Sequence, residues 1–452
     1  MNILSRQINR AILAPIAALL IFCSTEIHAA WDMTFPFYHE EQTLPAPQNT
    51  APSAAPLPVV VQPVPAVAPL LQEPQITLPE KPVGTKPEPL PSQPSPPIVI
   101  IHPPETAPPT DTAVPPSQGD RSAPFADALR ISGTVYREDI QWQEKVQLDG
   151  WVTVAPQATL TIAPGTTVRM SPGCGIHVLG RIVVKGMAEN PVLIASLSRE
   201  PLPGEWRGIV LSGSEKKNIL QHLRIEGAET ALLARFSAFS ARDVTISSAI
   251  TGLHLQESVV SLKDARFNDN GSGIVADNSE LTLDAVRLEN NRNGITLNAS
   301  SLMASDITLT GNKQSGLTAE GAQLKLERFI VSGSETGARI TRGEGTISLS
   351  IFRNNSEAGA VLSASRIKLN GNRFSGNRIG LQIGDHLPVL WDNALVDNKS
   401  YNLLYLGEEI FYAGGNWFGT GSNESSEKTV FSKHSGAVQT EPLLKADPLA
   451  ND

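Results

Sequence analysis

Residues 252–272 read GLHLQESVVSLKDARFNDNGS, residues 273–293 read GIVADNSELTLDAVRLENNRN, and the next unit opens with GITLN at 294–298. Each unit starts with a glycine followed by alternating apolar and polar residues, a pattern that makes a strand with one buried face. The repeat runs from Ala231 to Asn402, one step outside the first and last glycines. The glycines recur every 21 or 22 residues, at Gly252, Gly273, Gly294, Gly316, Gly337, Gly359 and Gly380.

Two other residue types keep a fixed place before each glycine. A large apolar residue stands about six positions earlier, at Phe267, Leu288, Leu309, Val331, Phe352, Phe374 and, before Asn402, Val396. An asparagine stands three or four positions earlier, at Asn270, Asn291, Asn312, Asn355, Asn377 and Asn398. In register, the apolar residues would stack inside a tube, and the amides would hydrogen-bond between coils at a sharp turn. A coil of this length cannot bury its apolar face alone, so the sequence predicts an all-β parallel solenoid.

Composition and charge limit the partners of the chain. The formal net charge is −9 and aromatic residues make up 5% of the 452 residues, which is typical of a thin solenoid. Removal of residues 1–30 takes away Arg6, Arg10 and Glu26, two positive charges and one negative, and leaves about −10. Because phosphate binding needs a concentrated basic face, the sequence predicts no nucleic-acid partner.

Residues 1–30 have the features of a secretory signal peptide. Arg6 and Arg10 precede an apolar run at 11–23, and small and polar residues ending at Ala30 follow it. This run is too short to span a bilayer comfortably, because about 20 residues are needed. We therefore expect cleavage near Ala30 and export to the periplasm, the outer membrane or the cell surface. A lipoprotein signal at Cys23 and an uncleaved anchor are the alternatives.

Two segments separate the signal peptide from the repeat. Residues 31–41 hold four aromatic side chains, at Trp31, Phe35, Phe37 and Tyr38. This aromatic segment either docks on a protein partner or has no role beyond neighbouring the cleavage site. Residues 42–122 form a proline-rich segment, with 23 of the 35 prolines between Pro45 and Pro116. Its composition excludes regular elements and predicts a disordered linker that reaches on the order of 200 Å at ~3.1 Å per residue.

The folded domain is expected at residues 123–446, with terminal caps, and a short tail follows at 447–452. At its start, Ser122 could cap a short helix over residues 125–129 that shields the open edge of the first coil. Strands with plain alternation then follow from Ile131 to Met170. The sequence therefore predicts a rod with a covered N-terminal end.

The first coils and the end of this domain resemble a known family. The segments that carry the resemblance include Gly133-Thr134-Val135, Ala163-Pro164-Gly165-Thr166, Gly204-Glu205-Trp206-Arg207-Gly208 and Gly415-Asn416-Trp417-Phe418-Gly419. Over residues 131–446 the chain resembles exported bacterial right-handed parallel β-helix proteins of the pectin-lyase-like superfamily. This resemblance implies a right-handed parallel β-helix. It leaves function open, because the superfamily includes polysaccharide lyases, hydrolases, epimerases and members without known activity.

Catalytic candidates must carry specific chemistry. Glycoside hydrolysis needs paired carboxylates, and lyase or epimerase chemistry needs a base, a second proton-transfer group and a cation for the sugar carboxylate. Arg366 and Lys368 resemble the Arg-Ile-Lys of polygalacturonases, but the partner motifs are missing, so an outward, solvated basic pair is the alternative. Asp385 and His386 form the best isolated acid–base pair, with a simple turn as the alternative. These residues do not make a catalytic set.

An acidic row is the candidate for a metal site. Asp243, Asp264, Asp284 and Asp306 recur at steps of 21, 20 and 22, with Glu327 next. Stacked carboxylates repel unless a cation or neighbouring bases screen them, so bound Ca²⁺ and turn residues on a wet edge are the two interpretations. The histidines share no common offset from the repeat glycines, which argues against a multi-histidine metal site. Apart from this Ca²⁺ alternative, no cofactor is expected.

Aromatic residues near the C-terminal end are the candidates for ligand binding. They are Trp391, Tyr401, Tyr405, Tyr412 and Trp417. Exposed aromatic rings stack on sugar rings, and the long face of a rod suits an extended glycan. The sequence therefore predicts a non-catalytic exported β-helix that binds envelope polysaccharide or envelope protein. A carbohydrate-active enzyme and a structural spacer in an envelope assembly are the alternatives.

Overall fold

The computed structural model describes residues 125, 127–386, 388–419 and 429–450. The predicted signal peptide, aromatic segment and proline-rich linker, with Ser122, lie outside the described residues. As predicted, the described part is an all-β solenoid. In chain order its strands are β1 (Leu129–Ile131), β2 (Thr134–Tyr136), β3 (Ile140–Trp142), β4 (Lys145–Leu148), β5 (Val152–Val154), β6 (Thr159–Ile162), β7 (Thr167–Met170), β8 (Gly175–Val178), β9 (Arg181–Lys185), β10 (Val192–Ser196), β11 (Gly208–Ser212), β12 (Asn218–Glu226), β13 (Thr230–Arg235), β14 (Ala238–Ser247), β15 (Thr251–Gln256), β16 (Val259–Lys263), β17 (Arg266–Asn268), β18 (Ser272–Asp277), β19 (Glu280–Asp284), β20 (Arg287–Glu289), β21 (Asn293–Asn298), β22 (Ser301–Thr310), β23 (Ser315–Glu320), β24 (Gln323–Ser332), β25 (Thr336–Thr341), β26 (Glu344–Ser348), β27 (Ile351–Arg353), β28 (Ala358–Ser363), β29 (Arg366–Asn370), β30 (Arg373–Ser375), β31 (Ile379–Ile383), β32 (Val389–Trp391), β33 (Ala394–Val396), β34 (Tyr401–Tyr405), β35 (Phe411–Tyr412), β36 (Val430–Ser432) and β37 (Val438–Gln439).

From β2 to β33 each coil covers three faces, and in four coils one long strand runs through both face 2 and face 3. Face 1 is a 14-stranded sheet of β2, β5, β8, β11, β13, β15, β18, β21, β23, β25, β28, β31, β34 and β36. Face 2 contains β3, β6, β9, β16, β19, β26, β29 and β32, with the first halves of β12, β14, β22 and β24. Face 3 contains β1, β4, β7, β10, β17, β20, β27, β30 and β33, with the second halves of the same four strands. Neighbours pair in parallel, so the chain is a parallel β-helix.

The predicted apolar column stacks inside the solenoid on face 3. Its members pair in successive strands and are at most 1% exposed: Phe267, Leu288, Leu309, Val331, Phe352 and Phe374. The rings of Phe352 and Phe374 are stacked with centroids 5.0 Å apart. The assignment of Val396 to this column is wrong. Leu395 pairs with Phe374 instead, because the turn before Asn402 is one residue longer than in the preceding coil.

The predicted asparagine column is a buried ladder at the corner between faces 3 and 1. The amide nitrogen of Asn270 donates to the amide oxygen of Asn291 at 3.0 Å, and Asn291 donates to Asn312 at 2.9 Å. The ladder resumes through Asn355, Asn377 and Asn398. Ser334 interrupts it, because its buried hydroxyl has no hydrogen-bond partner in the described part of the chain. Five of the six amides, all except Asn355, also donate to a backbone carbonyl, so the ladder satisfies backbone groups at the turn.

Two further ladders were not predicted. At the corner between faces 1 and 2, the backbone N–H of one serine donates to the hydroxyl of the next, through Ser214, Ser237, Ser258, Ser279 and Ser300. At the corner between faces 2 and 3, Asn372, Asn393 and Asn416 repeat the amide pattern. From Ser237 to Ser300 the serines are 21 residues apart, a spacing that is visible in the sequence and could have revealed the first of these ladders.

The repeat glycines lie where the backbone of the next coil passes close by. A Cβ atom built on Gly273 would lie 2.7 Å from the carbonyl oxygen of Gly294 and 2.6 Å from a methyl group of Leu288. A Cβ on Gly316 would lie 2.6 Å from the carbonyl oxygen of Gly337. Real Cβ contacts are longer than this, so close approach between coils restricts the column to glycine.

Faces 2 and 3 meet at a corner where one residue of each coil has left-handed backbone angles. From His222 to Leu349 these corner residues have φ between 48° and 56°. They are His222, Asp243, Asp264, Ala285, Asp306, Arg328 and Leu349. Histidine and aspartate tolerate this conformation better than most residues, which explains why one histidine and three aspartates occupy corner positions. A groove lies along this corner.

The two ends of the rod differ from the expectation. Leu129 opens β1 and pairs with Val146, so the predicted short helix is wrong at its end, because this segment adds a strand to face 3. At the other end β35 and β37 form a two-stranded sheet. Beyond them the guanidinium group of Arg373 donates to Asp447 at 2.7 Å, which anchors the predicted tail on β30. Within the described residues, no helix has the length and apolarity to cross a bilayer.

Candidate functional site

A groove of about 950 Å³ runs along the corner between faces 2 and 3, and we call it the corner groove. Its lining contains five arginines and three aspartates together with a histidine and an apolar group. These residues are His222, Arg242, Asp243, Asp264, Arg266, Arg287, Asp306, Arg328, Ile330, Leu349, Ile351, Arg373 and Leu449. None of the five arginines was a predicted site residue.

Parallel pairing places the lining side chains one coil apart. The outward column of face 3 runs through Arg266, Arg287, Thr308, Ile330, Ile351 and Arg373. At a strand spacing of ~4.8 Å, its five steps span roughly 24 Å of the rod. The groove therefore offers a linear series of positions to an extended ligand.

The N-terminal half of the groove holds cations without partners. The side chains of Arg242, Arg266 and Arg287 are exposed, and within the described part of the chain they make no hydrogen bond or ion pair. Arg266 and Arg287 are direct partners in adjacent strands. Like charges in such positions repel each other, so an anion that bridges both guanidinium groups would lower the free energy of the pair.

The cations of the C-terminal half are neutralised by the protein itself. Arg328 donates to Asp306 at 2.7 and 3.0 Å and also forms an ion pair with Glu327. The hydrogen bonds from Arg328 hold the pKa of Asp306 below its ordinary value. Arg373 is paired with Asp447. Among the described residues, the arginines of the groove without an ion-pair partner therefore lie in its N-terminal half, beside Asp243 and Asp264.

A histidine–carboxylate pair lies at the N-terminal end of the groove. The Nδ1 atom of His222 is 2.7 Å from a carboxylate oxygen of Asp243, and both are corner residues of adjacent coils. A carboxylate in this position fixes the ring orientation and leaves Nε2 as the second exchangeable site. The pair can accept or deliver a proton within a groove that also offers guanidinium groups. His222 was not a predicted site residue, because its coil precedes the glycine repeat.

The acidic row leaves its register at Asp284, where the step in the sequence shortens to 20 residues. Asp243, Asp264 and Asp306 are corner residues, whereas Asp284 ends β19 on face 2 and pairs in register with Lys263. Ala285 takes the corner position of that coil, which explains the short step in the sequence. Lys263 also forms an ion pair with Asp284. The hydrogen bond that its ammonium group donates to this carboxylate raises the pKa of Lys263. Basic side chains therefore screen these carboxylates, and the described residues contain no group of three or more His, Cys, Asp or Glu suited to a metal ion.

The predicted catalytic candidates lie outside the groove. Arg366 and Lys368 point outward from face 2, and Arg366 is 3.5 Å from Glu344 in the neighbouring coil. Asp385 and His386 are exposed in the turn after β31, where His386 has a positive φ of 68°. The structure brings neither pair together with a groove residue.

Face 1 carries a second polar cluster. His254 lies 2.9 Å from Asp277, and Asn298 donates to the other carboxylate oxygen at 2.7 Å. Partial burial acts to raise the pKa of Asp277, but the hydrogen bonds from Asn298 and His254 outweigh it, so this pKa lies below its ordinary value. His177 and His254 share one column on this face, but Val210 and Leu233 lie between them, so the two histidines do not stack. None of these residues lines the corner groove.

The predicted aromatic binding residues separate into different surroundings. Trp391 pairs with Asn370 and Trp417 bridges to Ala394, so both continue the columns on the two sides of the groove, beyond its C-terminal end. Tyr401 lies on face 1, with its ring 5.2 Å from that of Phe431, and Tyr412 is exposed on β35. Tyr405 is unsuitable for stacking on a sugar. It is 1% exposed, its hydroxyl donates to the carbonyl of Glu409, and burial raises its pKa.

Comparisons with known proteins agree with this architecture. A family model described as a right-handed β-helix region matches residues 229–386 and 293–440, and one described as a pectate-lyase-like β-helix domain matches residues 133–233. Together with the parallel pairing, these matches define the handedness of the solenoid. The chain belongs to the right-handed parallel β-helix repeat proteins.

Solved structures with similar folds include several alginate-modifying proteins. A variant of the periplasmic alginate epimerase AlgG is 13% identical, with 67% of this chain and 76% of that chain covered and a TM-score of 0.41. The mannuronan C-5 epimerase AlgE4 A-module of Azotobacter vinelandii is 16% identical, covering 67% and 85%, with a TM-score of 0.29. An alginate lyase from Paenibacillus sp. is 10% identical, covering 62% and 93%, with a TM-score of 0.23. Among curated protein sequences, no relative reaches a significant match.

Proposed function

We propose that this protein binds an acidic polysaccharide along the corner groove. The observation that carries the proposal is one elongated groove that holds Arg242, Arg266 and Arg287, whose guanidinium groups have no partner among the described residues. Arginine presents a planar fork of donors that matches carboxylates in a bidentate geometry. An extended uronate chain would supply one carboxylate after another along the rod and relieve the repulsion between the arginines.

The negative charge on the rest of the molecule favours binding of a polyanion at one local site. The whole chain has a net charge of −9, so a polyanion is repelled from most of the molecule and attracted only where cations are concentrated. Binding of this kind weakens as salt is added, because exposed charges are screened within about 8 Å at physiological ionic strength. A neutral glycan would gain nothing from the arginines.

Isothermal titration calorimetry of the exported chain against polygalacturonate oligosaccharides and malto-oligosaccharides of equal length tests the proposal. We expect binding of the acidic series only, and weaker binding at higher salt. The double variant Arg266→Ala/Arg287→Ala should lose at least tenfold in affinity, about 1.4 kcal/mol.

The matched control is Arg366→Ala/Lys368→Ala. It removes the same charge from exposed positions on face 2 outside the groove. Its affinity should stay within about twofold of the wild type, because long-range attraction alone is screened. Equal losses in the two double variants, or equal binding of the neutral series, would contradict a site in the groove.

A second candidate function is modification of the bound uronate, as a lyase or epimerase. It is favoured by the His222–Asp243 pair, which lies in the same groove as the free arginines. Such chemistry needs a proton acceptor beside a neutralised carboxylate. Incubation with polyuronate, followed by absorbance of unsaturated ends and by NMR of ring configuration, distinguishes the functions. Loss of turnover with retained binding in His222→Gln would support the enzyme, whereas an unchanged glycan with the wild type supports a binding protein.

We also propose that the β-helix is exported and tethered through residues 42–122. The charged start, the apolar run and the small residues before Ala30 support cleavage there. Mass spectrometry of the native protein should find an N-terminus near Trp31 in the cell-envelope fraction. An intact Met1 in the cytosol would contradict export. Comparison of pull-downs from envelope extracts with and without residues 31–41 tests whether the aromatic segment docks on a protein.

A further inference from the structure

The corner groove changes character along its length. At its N-terminal half, Arg242, Arg266 and Arg287 are free cations. In the middle, Arg328 is neutralised by Asp306 and Glu327. Beyond this point the column of face 3 changes from Thr308 to two isoleucines. The groove is therefore divided into a charged half, where the three arginines outnumber Asp243 and Asp264, and an uncharged half.

The C-terminal half is apolar and open. Ile330 and Ile351 are half-buried on face 3, and Leu349 at the corner is 50% exposed. The corner position of the next coil is Gly371, which has no side chain to offer. Ser350 lines the same half, but its hydroxyl is engaged with the carbonyl of Ser348 and the N–H of Phe329. This half therefore offers few side-chain donors to sugar hydroxyls.

The C-terminal segment completes the apolar half. The guanidinium group of Arg373 donates to Asp447 at 2.7 Å and to the carbonyl of Leu449 at 3.3 Å. The N–H of Leu449 donates to Asp447 at 2.9 Å, so this turn is held against β30. Leu449 thereby lines the groove, and the charge of Arg373 is cancelled at the same place. Both contacts make this end less polar.

We infer that the corner groove recognises an acidic glycan that carries short acyl esters, and this inference rests on the proposed function. Uronate residues occupy the coils of Arg242, Arg266 and Arg287. O-acylated residues of the same chain occupy the coils of Ile330, Leu349 and Ile351, where an acyl methyl group replaces water on apolar surface. The division of the groove fixes the polarity of the bound chain along the rod.

The shape of the groove favours short esters on a polymer over a lipid. The isoleucines and Leu349 form an open strip at the surface, with Leu349 half exposed, and not an enclosed tunnel. A long acyl chain needs burial on most of its surface to leave water, whereas an acetyl group needs contact with only a few methyl groups. The free arginines are spread over several coils, as a polyanion requires and a single headgroup does not.

Titration of the exported chain with polygalacturonate oligosaccharides and with the same oligosaccharides after chemical O-acetylation tests the inference. The wild type should bind the acetylated series about fourfold more tightly for each acetyl methyl group that is buried. In Leu349→Asn/Ile351→Thr this preference should disappear, so that the acetylated and unacetylated series bind with equal affinity. Asparagine keeps the left-handed corner and threonine keeps a β-branched strand residue, so both substitutions suit the fold.

Val259→Thr is the matched control. Val259 is 47% exposed on face 2 and does not line the groove. It should retain the full preference for acetylated ligand.

Three outcomes separate the two proposals. If unacetylated ligand binds through Arg266 and Arg287 but acetylation gives no gain, the acyl inference fails and acidic-glycan binding stands. If neither series binds, the proposed function fails as well. If vesicles of phosphatidylglycerol bind through Leu349 more tightly than either glycan, the groove is a lipid site and the inference is overturned.

Discussion

The asparagine ladder and the corner groove are built by the same coils in the same register, yet they differ in how strictly they repeat. Inside, one position holds Asn355, Asn377 and Asn398 in succession. Outside, the column of face 3 changes from Arg287 through Thr308 to Ile330. Every coil must satisfy the same turn and fill the same core, so interior positions tolerate little variation. Exterior positions are free of that demand, so their side chains can vary from coil to coil and remain available for binding.

The largest expected effect is the loss of stability when a buried phenylalanine is replaced, compared with the loss at an exposed phenylalanine. Phe352→Ala should lower the free energy of unfolding by about 3–5 kcal/mol, because it leaves a cavity against the stacked ring of Phe374. Phe236→Ala is the control, since Phe236 is 63% exposed, and it should cost less than about 0.5 kcal/mol. Denaturant titration measures both. Similar losses in the two variants would contradict the distinction.

The ladder itself should be the next most sensitive feature. Asn377→Ala removes the bonds to Asn398 and to the carbonyl of Phe352 and leaves buried polar groups unpaired. We expect a loss of about 2–3 kcal/mol. Asn268→Ala is the matched change outside the ladder and should cost only a few tenths of a kcal/mol. A ladder variant as stable as the control would mean that water replaces the lost bonds.

The interruption at Ser334 allows an asparagine to be added to the ladder, where the preceding variant removes one. Its buried hydroxyl has no hydrogen-bond partner in the described part of the chain, and its N–H already donates to Asn355. Ser334→Asn should extend the ladder from Asn355 towards Asn312 and stabilise the protein by about 1 kcal/mol. Thermal unfolding would show an increase in Tm. A decrease would show that the coil at Ser334 lacks room for an amide.

The smallest effect concerns the polar cluster on face 1. Hydrogen bonds from Asn298 and His254 depress the pKa of Asp277 below the ordinary value of 3.8. The ionised carboxylate therefore stabilises the fold above about pH 4, and this contribution is lost as the pH falls through the lower folded-state pKa. Asp277→Asn should cost a few tenths of a kcal/mol at pH 7, since the site is partly exposed. The difference from the wild type should shrink as the pH falls through the folded-state pKa, and a difference that grows with acid would contradict the assignment.

The interior was predictable from the sequence because its columns follow the glycine repeat. The apolar and asparagine columns were placed correctly, apart from Val396, whose coil has a longer turn. The groove was not predicted, although Arg266 and Arg287 stand 21 residues apart immediately before the apolar column. A one-residue change in step moves a side chain from the strand to the corner, as with Asp284 and Ala285. Only the register of the folded coils shows which charges share a groove and which are already paired.

The location of a bound glycan tests the central claim most directly. A crystal structure of the exported chain with an O-acetylated polygalacturonate oligosaccharide should show the chain along the corner groove. We predict carboxylates on Arg266 and Arg287 and an acetyl group beside Leu349. Density for the glycan over His254 and Asp277 on face 1, with an empty corner groove, would contradict the account.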